Sequence, residues 1–208
     1  MKLYKLEVGM LGTNCYFAVN EELKEAFIVD PGGDGERILE MLKALGVELK
    51  AILLTHGHSD HIGAVNEVRQ ATKAPVYISY EDADFLLKAD LNLSSFMGSD
   101  IQCQKADVLL KEGDELELAG FKLKVYHTPG HTKGGLCYYY KEEALVFAGD
   151  TIFCESIGRT DFPGGSYKEI LNSIKTKLLV LEDAVKLLPG HGPATTVGWE
   201  RRRNPFLQ

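Results

Sequence analysis

A layered α/β fold is predicted by three features of the 208-residue sequence. Strand-like apolar runs alternate with segments of helical period, four of those runs lead into glycine-containing loops that carry histidine or aspartate, and 45% hydrophobic residues suffice for a substantial core. In such a fold the strand ends on one edge converge on a shared crevice, where loops present side chains and the sheet holds them rigid.

The elements follow in order. Lys2–Val8 alternates, Thr13–Val19 and Ala26–Val29 are apolar, and the turn Asp30-Pro31-Gly32-Gly33 ends this β meander. From Asp34, the residues Ile38, Leu39, Met41, Leu42 and Leu45 recur at helical spacing until Gly46 stops them. Ala51–Thr55 is a strand running into His56-Gly57-His58-Ser59-Asp60-His61, and Ala64, Val65, Val68 and Ala71 predict a helix with Asp60 and His61 at its N-terminal end. A short strand at Pro75–Ile78 and a helix over Glu81–Lys88 follow, whereas Asp90–Ala106 has no clear period and is read as a loop packed on the core in preference to one whose Leu, Phe and Met line a substrate entrance. Asp107–Leu110, Glu115–Leu118 and Phe121–Tyr126 are strands joined by tight turns, the third leading to His131. Gly135–Lys141 and Leu145–Phe147 form a hairpin that ends at Asp150. Ser166–Leu181 is a helix with Ile170, Ile174, Leu178 and Leu181 on one face, and Ala184–Leu188 is a last strand, ending in Pro189-Gly190-His191-Gly192.

Composition narrows the function. The formal charge of −7 provides no basic field for nucleic acid. The N-terminal residues lack a signal-peptide core, and no apolar run approaches the roughly 18 residues of a membrane span. A cytoplasmic protein with neither a membrane nor a nucleic-acid partner is expected, folding as a single domain over residues 1–208. Cys15, Cys103, Cys137 and Cys154 show no CxxC spacing, so they are read as reduced, mostly buried thiols.

Five of the six histidines lie in the strand-end loops. Neighbouring imidazoles repel once protonated, but neutral ring nitrogens converging on a divalent cation are satisfied together. His56, His58, Asp60, His61, His131, Asp150 and His191 are therefore candidate metal ligands. His127 is read as a hydrogen-bonding or packing residue and Cys154 as an ordinary loop thiol. Phe153, Arg159 and Asp161 are candidate substrate contacts, set against core packing for Phe153 and Phe162 and a loop-bracing ion pair for Arg159 with Asp161. Trp199–Arg203 is read as a solvated helix end.

The HxHxDH run followed by a distant His, Asp and His resembles the metallo-β-lactamase superfamily. Within it, Thr13–Tyr16, Asp30-Pro31-Gly32, His127–Thr132, Gly149-Asp150-Thr151, Gly158–Asp161 and Leu188–Gly192 are similar to the short glyoxalase II-type thioester hydrolases. The resemblance implies a four-layer αββα sandwich and two metal ions, with His56, His58 and His131 on one, Asp60, His61 and His191 on the other, and Asp150 bridging. Seven ligands exceed what one tetrahedral catalytic ion uses, and two ions about 3.5–4 Å apart share a carboxylate and a hydroxide. Zinc is the first choice of metal, with iron or manganese compatible. The implied activity is hydrolysis of a small-molecule thioester such as S-lactoylglutathione by that hydroxide, with Asp60 both ligating and orienting it as the catalytic residue. Only 17 residues follow His191, so the helical glutathione-binding domain of full-length glyoxalase II is not expected. The competing expectations are a single-iron persulfide dioxygenase using two His and one Asp, a lactone or β-lactam hydrolase, and, more remotely, a nucleic-acid processing nuclease.

Overall fold

In the computed structural model, which describes residues 1–208, the first three strands β1 (Lys2–Val8), β2 (Thr13–Asn20) and β3 (Glu25–Val29) form an antiparallel meander. Helix α1 (Gly35–Leu45) returns the chain to β4 (Glu48–Leu53), which is parallel to β3. Its stop is the predicted one: Gly46 adopts the left-handed conformation (φ 64°) and its N–H donates to the carbonyls of Leu42 and Lys43. After α2 (Ser59–Ile62) and α3 (Val65–Thr72), the parallel strands β5 (Val76–Ser79) and β6 (Val108–Leu110) complete a six-stranded sheet ordered β1 to β6.

The second sheet opens with β7 (Glu115–Leu118), β8 (Phe121–His127), β9 (Leu136–Tyr140) and β10 (Leu145–Gly149), each antiparallel to the one before. A small ribbon of β11 (Ile152–Phe153) and β12 (Ser156–Ile157) and helix α4 (Tyr167–Ser173) lead to β13 (Lys186–Pro189), which lies parallel to β10. The edge strand β14 (Thr195–Thr196) and α5 (Val197–Arg203) close the chain. No helix is long and apolar enough to cross a membrane.

Strand pleat sorts the side chains into layers. Along β2, Cys15, Phe17 and Val19 point to a cluster containing Ile38, Leu42, Val65 and Val68 of α1 and α3. Tyr16 and Ala18 point the other way, into the inter-sheet core with Phe27, Leu123, Val125, Tyr138 and Phe147. Beyond the second sheet, Cys137, Val146 and Ala148 meet Ile170, Ile174 and Val197. Helices thus cover the outer face of each sheet in an αββα sandwich, and because strands buried on both faces are apolar throughout, β2, β3 and β10 read as continuous hydrophobic runs.

Three expectations need correction. Asp60 and His61 do not begin the helix containing Val65; they occupy the separate one-turn α2, because the Ala64 N–H leaves the helical ladder to donate to Pro31 O at 2.9 Å. Glu81–Lys88 forms only a 3-10 turn at Ala83–Leu86, since Asp82 is turned inward to accept bonds from Gly57, Thr132 and Gly134. The helix expected over Ser166–Leu181 is α4 followed by a wider π turn at Ile174–Leu178, leaving Leu181 beyond its end.

Candidate metal centre

The loops after β4, β8, β10 and β13 open on one edge of the sandwich and bring all seven predicted ligands together. Three overlapping groups, His56 with His58 and His131, His56 with His61 and Asp150, and Asp60 with His61 and His191, each keep their ligand atoms within 4.8 Å of one another. Asp150 spans the cluster. Its Oδ1 lies 3.4 Å from His61 Nε2, and its Oδ2 lies 3.6 Å from the Nε2 atoms of both His131 and His191.

The remaining ring nitrogens show which atoms face inward. His61 Nδ1 lies 2.9 Å from Asp30 Oδ2, His131 Nδ1 lies 2.8 Å from Arg159 O, and His191 Nδ1 lies 3.2 Å from Leu11 O. Each acceptor requires a proton on Nδ1 and leaves Nε2 as the ring nitrogen that faces the cluster. For His56 the same result is relayed: Thr55 Oγ1 donates to Asp30 Oδ2, so it accepts from His56 Nδ1 at 3.1 Å. His56 Nε2 and Asp150 Oδ1 are consequently buried without any hydrogen-bond partner. His58 Nδ1 faces His131 Nε2 at 2.9 Å, and His61 Nε2 faces His191 Nε2 at 3.3 Å. Lone pairs at such distances repel unless a proton or a cation lies between them, and buried orphan acceptors are otherwise rare. This donor set of imidazole and carboxylate atoms fits divalent transition-metal ions.

Protonation follows from the same geometry. Burial pushes His56 well below the ordinary imidazole range, as do its neighbours His61 and His58, and burial with His131 nearby lowers His58 to about 3. Burial also opposes charge on His61, but Asp150, Asp60 and Asp30 outweigh it and lift the ring to about 10. Asp60 is held far below its usual range despite burial, chiefly by His61 and His191.

Close backbone packing makes the crowding possible. A Cβ on Gly190 would sit 2.1 Å from Asp150 Oδ1 and 2.6 Å from His61 Cε1, and one on Gly158 would sit 1.8 Å from Asp150 O. Sequence reasoning did not single out two carboxylates that brace the ligands. Asp30, buried at the end of β3, accepts from Thr55 N and Thr55 Oγ1 as well as facing His61. Asp82 ties the loop of His56–His58, through Gly57 N, to the loop of His131, through Thr132 Oγ1 and Gly134 N.

Beside the cluster lies a cleft of about 690 Å³. Phe153 and Phe162 both line it, so the core role weighed for them does not hold. Arg159 also lines it, but Asp161 does not; Asp161 takes two bonds from the Arg159 guanidinium, at 3.0 and 2.8 Å, which is the bracing arrangement. His127 stands apart, its Nε2 donating to Lys133 O, and Cys154 belongs to none of the ligand groups.

A fold of two packed sheets flanked by helices, with this ligand set on one edge, defines a metallo-hydrolase class, and the chain belongs to the metallo-β-lactamase superfamily, whose family model matches residues 8–191. It is 39% identical to the hydroxyacylglutathione hydrolase GloC of Haemophilus influenzae, over 100% of this chain and 98% of that protein. Among solved structures it is similar to the BLEG-1 B3 metallo-β-lactamase, with a TM-score of 0.96 and 43% identity over 99% of both chains. It is also similar to TTHA1623, solved in a di-iron-bound form, with a TM-score of 0.88 and 38% identity over 98% of this chain and 100% of that one.

Proposed function

We propose that the protein is a binuclear metal-dependent thioester hydrolase of the hydroxyacylglutathione hydrolase type, with two divalent ions, zinc first. The observation that carries this reading is the gathering of seven imidazole and carboxylate groups, two of whose atoms, His56 Nε2 and Asp150 Oδ1, are buried and unpaired, with Asp150 reaching both halves. His56, His58 and His131 would hold one ion, and Asp60, His61 and His191 the other, with Asp150 between. Such ions, when bound, lower the pKa of water toward 7 and polarise a carbonyl oxygen.

The chain's own residues do the rest. Asp60 Oδ2, 3.1 Å from His191 Nε2, is placed to accept a hydrogen bond from a water molecule and aim its oxygen. Asp30 and the Arg159 carbonyl hold His61 and His131 in the tautomer that keeps Nε2 free. In the overall step, water's oxygen bonds to the acyl carbon, the C–S bond breaks with its electron pair going to sulfur, and one proton of water passes to the thiolate through solvent. A thiolate leaves readily, so no general acid is needed, and no serine or cysteine stands in an elbow context in this sequence.

His191 within the cluster favours two ions over the single iron of a persulfide dioxygenase. β-Lactam hydrolysis is the second reading, favoured by the likeness to BLEG-1. The test is turnover of S-lactoylglutathione and of a chromogenic cephalosporin by zinc- and iron-loaded protein, with His58→Ala as control. Thioester hydrolysis abolished by that substitution is expected. Oxygen consumption with glutathione persulfide and no thioester turnover would overturn the proposal, and cephalosporin turnover alone would favour the second reading.

A further inference from the structure

With the five cluster residues set aside, the cleft is lined by seven apolar side chains, one hydroxyl and one cation. The hydroxyl, Ser59 Oγ, points at Met97 Sδ. The cation, Arg159, is paired: its guanidinium makes two bonds to Asp161, which offsets its charge, and lies 4.2 Å from the Phe162 ring centroid. No cation without a carboxylate partner is left in the lining. The apolar groups stand on both sides of the reaction centre. Phe162 packs 5.7 Å from His58 on one side, while Phe153 packs 6.2 Å from His191 on the other. Leu11, whose carbonyl orients His191, is also in the lining and 52% exposed.

The segment that could not be read from sequence supplies the roof. Asn92, fully buried, pins its neck by donating to Phe85 O and Ile101 O, and the Asn92 carbonyl accepts from Ser59 N, between the ligands His58 and Asp60. From that neck the turn Ser94–Met97 holds Phe96, 78% exposed, and Met97, 46% exposed, over the cleft. Large apolar side chains left in water at the mouth of a site are unfavourable unless a ligand covers them.

Resting on the thioester-hydrolase reading above, we infer that the preferred substrate is an uncharged thioester carrying an apolar acyl chain of several carbons, gripped by Leu11, Phe96, Met97, Phe153 and Phe162, rather than a thioester of a charged peptide thiol. The probes are S-acetyl-, S-butanoyl-, S-hexanoyl- and S-octanoyl-N-acetylcysteamine, with S-lactoylglutathione as the charged comparison. Each methylene buried contributes enough to raise kcat/KM about 2–4-fold, so hexanoyl should exceed acetyl by at least about tenfold. Phe96→Ser and Leu11→Ser, both at positions more than half exposed and so without a role in the core, should lower the hexanoyl-to-acetyl ratio several-fold. Val180→Ser, on an exposed position outside the cleft, should leave that ratio as it is.

A ratio flat across the series, or turnover of S-lactoylglutathione faster than of the hexanoyl compound, overturns the inference. Calorimetric binding of hexanoate against acetate to the metal-loaded protein separates this inference from the reading beneath it. Tighter hexanoate binding that Phe96→Ser weakens sustains the apolar site even where no thioester is hydrolysed, in which case the hydrolase reading alone falls; equal binding of the two acids overturns the inference whatever the enzyme hydrolyses.

Discussion

Asp30 touches no substrate-facing surface, yet three of its contacts converge on the ligand geometry: Thr55 N, Thr55 Oγ1 and His61 Nδ1. Replacing it with asparagine puts an amide N–H where one of these protonated partners now donates, and the tautomers of His61 and His56 lose their anchor. Asp30→Asn is expected to weaken metal binding about 10–100-fold with little change in fold, measured by competition against a chromogenic chelator; unchanged affinity would show that His61 needs no such partner. His61 also sets the pH dependence. Its ring is lifted to about 10, so in the metal-free protein a proton occupies it throughout the neutral range and must be displaced by a cation. Raising pH removes that competitor, and His191, also raised by Asp60 and Asp150 against burial, releases its proton in the same direction, so apparent affinity should increase by at least about tenfold per pH unit between pH 6 and 8. His58, lowered to about 3, is already deprotonated there and adds nothing. Chelator competition at both ends of that range decides the matter, and a flat profile rules out a retained proton. At this scale the ligands were readable because histidine and aspartate at strand ends are costly unless they bind something. Asp30 carried the same signal, a carboxylate at the end of a strand beside Pro31 and Gly32, whereas Asp82 carried none: its partners Gly57, Thr132 and Gly134 are far from it in sequence and meet it only in the folded chain.

Elements ending in glycine-rich loops bring their ligands close only because the backbone itself can approach. Gly190, after β13, has Asp150 Oδ1 and His61 Cε1 where a methyl group would stand, at 2.1 and 2.6 Å. Gly190→Ala should therefore cost about 1–3 kcal/mol by overpacking and lower the bound metal below the wild-type stoichiometry, read by elemental analysis after dialysis. Gly192→Ala is the contrasting case. That residue has φ 72° but open space around its Cβ, so the substitution should cost roughly 1–2 kcal/mol in strain while metal content stays at the wild-type level. Equal metal loss in both variants would mean that loop strain, not contact with Asp150 and His61, governs the site. Strands were the most readable elements, since β2, β3 and β10 are buried runs bounded by turns. Helical period misled where tertiary bonds took precedence over local ones: Ala64 bonding Pro31 split α2 from α3, and inward-facing Asp82 held Ala83–Leu86 to a single turn. Asp90–Ala106 was unreadable because its shape depends on Asn92 and Ser94 bonding across the loop rather than on any repeating pattern.

Taken whole, the molecule places its ligands on both halves of the sandwich. His56, His58, Asp60 and His61 follow β4 of the first sheet, whereas His131, Asp150 and His191 follow β8, β10 and β13 of the second. Ions held between them would join two sheets that also meet through the apolar core of Tyr16, Phe27, Tyr138 and Phe147 and through hydrogen bonds such as those of Asn14 and Tyr16 to Pro189 O and of Tyr138 to Leu54 O. Without ions, His56 Nε2 and Asp150 Oδ1 stay buried and unpaired, so the metal-free edge is held less favourably. A ligand that binds only the folded state stabilises it by about 4 kcal/mol when free at a thousand times its Kd. For a chain of about this length each kcal/mol corresponds to roughly 2–4 °C in Tm, so each ion should raise Tm by about 8–16 °C under that condition. Scanning calorimetry of protein stripped by chelator and then titrated with zinc should show Tm rising with the logarithm of free zinc. His58→Ala and His191→Ala, one from each proposed metal group, should each remove about half of the rise. If chelation leaves Tm unchanged, or if either substitution abolishes the whole rise, the two ions do not join the sheets independently, and the division of seven ligands between them fails.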